Sequence, residues 1–77
     1  MANKLAQDVG RILSGTLGDF MAQATLKKNC DIIGATPDTL DGSQLPLLAK
    51  NMEKSVSFFS GKEASSEVAR KILALQA

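Results

Sequence analysis

The segment SQLPLLAKNMEKSVSFFS, residues Ser43–Ser60, decides the fold of this chain. Its apolar residues recur at steps of three and four, which is the spacing of one face of an α-helix. Leu47 and Phe58 lie off this face and form a second, smaller apolar face. The segment therefore predicts a central helix over 44–59 whose main face packs on a core and whose second face needs another helix or subunit. The main face consists of Leu45, Leu48, Ala49, Met52, Val56 and Phe59.

Apolar spacing predicts three further helices, over 3–14, 17–33 and 62–76. Asn3 is a suitable cap for the first, and Gly34 supplies the left-handed residue that ends the second. Small residues at 14–18 favour a break between these two helices, although the apolar period continues through Phe20, Met21 and Ala24, so one kinked helix remains an alternative.

The junctions of the second half carry their own signals. Ser60 and Glu63 have the spacing of a capping box, which predicts the start of the last helix. Pro37 predicts a short helical turn around 37–40, after which Leu40 contacts the core and Ser43 caps the central helix. We find no alternating pattern typical of a strand and no internal repeat. The prediction is an all-α fold, a small bundle of three to four helices in a single domain spanning 1–77.

Length and composition predict that this fold needs additional stabilisation. A chain of 77 residues buries only about 60% of the surface that its unfolded form exposes. Cys30 is the only cysteine and histidine is absent, which excludes an intramolecular disulfide and a zinc site of the usual ligands. No cofactor or metal is predicted. Association with another chain is the remaining means of stabilisation.

Charge and hydropathy limit the classes of partner that we expect for this chain. The net charge of +1 lacks the basic excess of a nucleic-acid-binding domain. The longest apolar run is far shorter than the roughly 20 residues of a membrane span, and the N-terminus lacks the apolar core of a secretory signal. We therefore expect a cytoplasmic protein that does not enter a membrane.

Motifs that carry chemistry are weak in this chain. Residues Gly15–Gly18 resemble the Gly-x-x-Gly loop of KH domains, which implies nucleic-acid binding, but the three strands of that fold are not predicted. Residues Asp41–Leu45 loosely resemble the Asp-Ser-Leu motif of acyl carrier proteins, with an extra glycine between acid and serine. Cys30 has no histidine to take its proton and is interpreted as a core residue. The chain is not predicted to be an enzyme.

The functional hypothesis is a helical protein–protein interaction module that self-associates, as a dimer, or binds another protein. Its candidate interface comprises Leu47, Phe58, Phe59 and Leu73. A candidate anion-binding patch comprises Lys27, Lys28, Lys50 and Lys54. The alternative is a nucleic-acid-binding domain that uses the region from Ser43 to Lys54, although no arginine lies there to contact guanine.

Overall fold

A computed structural model describes residues 3–75, and these residues form three α-helices and no strand. Helix α1 spans Lys4–Leu17, α2 spans Asp19–Ile32 and α3 spans Leu45–Ala74, with a short 3-10 helix at Gly42–Gln44 leading into α3. The predicted all-α class is confirmed. No helix within 3–75 combines the length and the apolarity needed to cross a membrane. Residue 76, the predicted end of the last helix, lies outside the described residues.

A single glycine joins α1 to α2. The Gly18 amide donates to the carbonyl oxygen of Ser14 at 3.0 Å, and the Gly18 carbonyl accepts from the amide of Ala22 at 2.9 Å, so one residue both ends α1 and starts α2. Its φ of 82° and ψ of 163° belong to a region that only glycine occupies without strain. The predicted break is therefore present, and α1 continues past the predicted limit of 14 to Leu17.

A glycine with positive φ also bends α3. Gly61 has φ 87° and ψ 172°, and a straight helix of 30 residues would be about 45 Å long, whereas the longest dimension of the molecule is 29 Å. The chain thus folds back at Gly61 into an N-terminal limb, 45–60, and a C-terminal limb, 62–74. A hydrogen bond of 3.3 Å from Ser66 Oγ to Glu53 Oε2 joins the two limbs. These limbs correspond to the two helices predicted over 44–59 and 62–76.

The start of the C-terminal limb differs from its prediction. Within the described residues, neither Ser60 nor Glu63 makes the side-chain hydrogen bonds of a capping box. Gly61 lies between them and turns the chain through its positive φ, which removes Ser60 from the position of a cap. The capping-box spacing of Ser60 and Glu63 therefore indicated the position of the junction correctly, but the residue that forms the junction is Gly61.

The molecule consists of two helical hairpins with one shared pattern. The first hairpin is α1 with α2, the second is the pair of limbs of α3, and their glycines, Gly18 and Gly61, lie 43 positions apart. Buried residues precede both glycines by twelve, nine and five positions and follow both by four, seven and eleven. This structural repeat corrects the expectation of no internal repeat. The buried pairs are Ala6 with Ala49, Val9 with Met52, Leu13 with Val56, Ala22 with Ser65, Thr25 with Val68, and Asn29 with Ile72.

The connector between the hairpins is fixed to both. Asn3 caps α1 by accepting from the amide of Ala6 at 2.9 Å, and its Nδ2 donates to the carbonyl oxygen of Leu40 at 2.7 Å. Leu40 is buried in the core as predicted. The predicted helical turn around 37–40 is a hydrogen-bonded turn in which the Thr39 amide donates to the Thr36 carbonyl at 3.0 Å, and the 3-10 helix follows at Gly42–Gln44.

Ser43 is not the cap of the central helix. Asp41 caps the 3-10 helix that leads into α3: it accepts from the Ser43 amide at 2.8 Å, while Gln44 Oε1 accepts from the Asp41 amide at 3.1 Å to complete a capping box. The Ser43 hydroxyl also donates to Asp41 Oδ1. These hydrogen bonds, with that of the Ser43 side chain first, lower the pKa of the Asp41 carboxyl below its ordinary value. The Asp41 carboxylate is a stronger hydrogen-bond acceptor than the Ser43 hydroxyl that was predicted as the cap.

Candidate interaction site

One cleft of about 420 Å³ lies between α2 and the N-terminal limb of α3. Most of its lining is apolar: Met21 and Ala24 come from α2, and Phe58 and Phe59 from the last turn before Gly61. We call it the aromatic cleft. Its complete lining is Met21, Ala24, Thr25, Lys28, Asn29, Ser55, Phe58 and Phe59.

The two phenylalanines project from the rim of the aromatic cleft. Phe58 is 89% exposed and Phe59 is 62% exposed, and their ring centroids lie 6.3 Å apart with the planes inclined at 57°. Phe59 was predicted on the buried stripe of the central helix, and this is wrong because that stripe is buried only as far as Val56. Gly61 ends the N-terminal limb just after these residues, and both rings stay exposed. The rim is thus an apolar surface that no part of the described chain covers.

A buried polar side chain lies in the wall of the same cleft. Asn29 is 1% exposed, and its Nδ2 donates to the Thr25 carbonyl oxygen at 2.8 Å and to Ser55 Oγ at 3.3 Å. Its Oδ1 is the one buried side-chain oxygen or nitrogen in residues 3–75 without a hydrogen-bond partner. An unpaired buried acceptor costs about 1 to 3 kcal/mol. The fold therefore carries a local loss of stability at this cleft.

A second cleft between the two hairpins is equivalent to the aromatic cleft and has a different lining. It also measures about 420 Å³ and lies between α1 and the C-terminal limb of α3. Ile12, Gly15 and Lys71 occupy the positions that correspond to Ser55, Phe58 and Lys28 at the 43-residue offset. We call it the polar cleft. Its lining is Asp8, Arg11, Ile12, Gly15, Lys71 and Leu75.

Ion pairs cover the polar cleft. Asp8 accepts from Lys4 Nζ at 3.1 Å and lies 3.6 Å from Arg11 Nη1. Lys71 Nζ lies 3.4 Å from Glu67 Oε1. Exposed pairs of this type contribute little stability, and they keep the surface hydrated. The two equivalent clefts thus differ in chemistry: one has Phe58 where the other has Gly15, and the polar cleft is lined by residues that take part in ion pairs.

The four predicted interface residues are all exposed but form two groups. Phe58 and Phe59 line the aromatic cleft, whereas Leu73 shares a shallow depression with Pro46, the neighbour of Leu47. Leu47 lies eleven positions before Phe58, which corresponds to about 16 Å along the helix axis. The structure therefore brings two of the four residues to one cleft and places the other two at the opposite end of the second hairpin.

The predicted anion patch is similarly divided. Lys27, Lys28, Lys50 and Lys54 are exposed. Lys28 lines the aromatic cleft, while Lys50 lines the shallow depression near Leu73 together with Glu53 and Arg70. In the segment from Ser43 to Lys54, Glu53 interrupts the two lysines. This mixture of charges weakens the local positive potential.

Sequence reasoning missed two features of α2, and one of them, Asn29, lies in the site. Phe20, on the continued apolar period, is 85% exposed, because Gly18 changes the helix direction and shifts which positions face the core. The spacing of the buried positions starts anew after Gly18, so Ala22, Thr25 and Leu26 are the buried residues of α2. Asn29 was also missed: a polar residue between Lys28 and Cys30 gives no signal of burial until this new phase is known.

Cys30 and the metal-ligand residue types were the other candidates for chemistry. Cys30 is buried in the core as predicted, and burial, together with the nearby Asp31 charge, raises the pKa of its thiol. Over the described part of the chain, no three His, Cys, Asp or Glu side chains are grouped to hold a metal ion. Comparisons with protein-family models, curated proteins and solved structures give no match.

Proposed function

We propose that this chain is a cytoplasmic protein–protein interaction module that self-associates as a dimer through the aromatic cleft and has no catalytic activity of its own. The observation that supports it is the pair of exposed phenylalanines beside an apolar cleft. An exposed ring in water leaves a large apolar area unburied, and such clustered patches are typical of interaction sites.

The comparison between the hairpins supports a functional origin for these rings. At the positions equivalent to Phe58 and Phe59, the first hairpin has Gly15 and Thr16, both exposed. The same backbone pattern thus forms with small residues there, so the phenylalanines are not required by the hairpin. Their presence is better explained by a contact outside the chain.

The size of the patch predicts weak association. A phenylalanine side chain presents about 200 Å², so the exposed fractions of Phe58 and Phe59 amount to roughly 300 Å² per copy. Two copies would bury roughly 600 Å² through these rings, about half of what small stable interfaces bury. We therefore expect a dissociation constant of about 10 to 100 μM. The net charge of +1 produces little repulsion between copies.

Sedimentation equilibrium over about 5 to 200 μM tests the proposal. The wild-type chain is expected to shift from monomer towards dimer across this range. Phe58→Glu is expected to remain monomeric and folded, because Phe58 is exposed in the monomer and a carboxylate in the interface has no partner. Leu47→Glu is the matched control, since Leu47 is an exposed apolar residue of the same limb outside the cleft.

Two results would contradict the proposal. The first is a wild-type chain that stays monomeric at about 200 μM. The second is an equal loss of association in Phe58→Glu and Leu47→Glu, which would remove the aromatic cleft from its special role. Circular dichroism on each variant separates loss of association from loss of fold.

A further inference from the structure

No further inference is drawn: the strongest candidate, the aromatic cleft between α2 and the N-terminal limb of α3 with the buried Asn29 side chain in its wall, belongs to the site already described, and nothing in the structure shows what covers it.

Discussion

The two hairpins of this molecule share a backbone pattern and differ in what that pattern carries. Both turn at a glycine with positive φ, 82° or 87°, and extended ψ, and both bury residues at the same distances from it. The two clefts between the hairpins have equal volumes of about 420 Å³. Of the two, only the cleft lined by Phe58 and Phe59 has an exposed aromatic rim and an unpaired buried acceptor.

This comparison separates what the fold requires from what it tolerates. Positions that are buried and apolar in both hairpins, such as Val9 and Met52, support the core. Positions that differ, such as Asn29 against Ile72, show where one hairpin departs from the arrangement that stability favours. Thr25 and Asn29, the buried polar counterparts of Val68 and Ile72, both line the aromatic cleft, and this is the site of the proposed function.

Replacement of the buried Ile72 by asparagine, the residue at the matched position of the first hairpin, is expected to have the largest effect on stability. Ile72→Asn places a carboxamide at a site where the isoleucine is fully buried, so it loses apolar burial and gains a polar group without a partner. We expect a loss of about 3 kcal/mol in the free energy of unfolding, measured by urea denaturation.

The control for this exchange is Leu73→Asn, which changes the next residue, an exposed leucine. We expect a change below about 1 kcal/mol. Equal effects at the two positions would show that the C-terminal limb does not pack as the hairpin comparison requires.

Substitution of the junction glycines is expected to have the next largest effect. Gly18→Ala and Gly61→Ala place a Cβ on a backbone with φ of 82° or 87°, at a cost of about 2 kcal/mol each. The two losses are expected to agree within about 0.5 kcal/mol, because the two junctions have the same conformation. Thermal and urea unfolding measure both.

Gly15→Ala is the matched control for the junctions. Gly15 lies inside α1, and an added Cβ meets no atom within 4 Å. Alanine is expected to stabilise the helix by about 0.5 to 1 kcal/mol. A junction variant that behaves like Gly15→Ala would contradict the description of that junction as a glycine-dependent turn.

Removal of the unpaired acceptor is expected to stabilise the chain. Asn29→Leu has nearly the same shape and leaves no buried oxygen without a partner, so the free energy of unfolding is expected to rise by about 1 kcal/mol. The control is Asn51→Leu, because Asn51 Nδ2 also donates to the carbonyl four residues earlier, at 3.2 Å, but on an exposed surface. There the expected change lies within about 0.5 kcal/mol. Destabilisation by Asn29→Leu would mean that the amide hydrogen bonds outweigh the unpaired oxygen.

The smallest expected effect distinguishes the caps that begin the two hairpins. Asp41 has a pKa lowered by its hydrogen bonds from Ser43, so its contribution to the 3-10 lead-in is present above the unfolded pKa of about 3.9 and is lost as pH falls through the folded pKa. Asn3 has no titrating group. The amide resonance of Ser43 is expected to titrate with a midpoint below the ordinary pKa of aspartate, and that of Ala6 to remain unchanged. A normal midpoint at Ser43 would contradict the cap.

Much of the fold was predictable because the signals are local. The stripe from Leu45 to Val56 follows from spacing alone, and Gly18, Gly34 and Gly61 carry the positive φ values near the predicted helix limits. The burial of Cys30 and Leu40 follows from their apolar surroundings. At the cleft, the exposure of Phe58 was predictable because it lies off that stripe.

The repeat, the exposure of Phe20 and the position of Asn29 could not be predicted, because the spacing of apolar residues does not show which helices pack together. The repeat escaped detection because five of the six matched buried pairs share burial and not identity, as with Leu13 and Val56. The apolar spacing of α1 does not carry over Gly18 into α2, so Phe20, which continues that spacing, is exposed. Asn29 shares a cleft with the phenylalanines only because α2 packs on α3, which brings together residues far apart in the sequence.

The central claim is that Phe58 and Phe59 make the aromatic cleft an interaction surface. Sedimentation equilibrium of a variant that carries small side chains at these two positions tests it most directly. Phe58→Ala with Phe59→Thr gives this cleft side chains close to those of Gly15 and Thr16. The wild-type chain is expected to dimerise with a dissociation constant of about 10 to 100 μM, and the double variant to remain a folded monomer throughout. A monomeric wild-type chain at about 200 μM, or a double variant that dimerises equally well, would contradict the account.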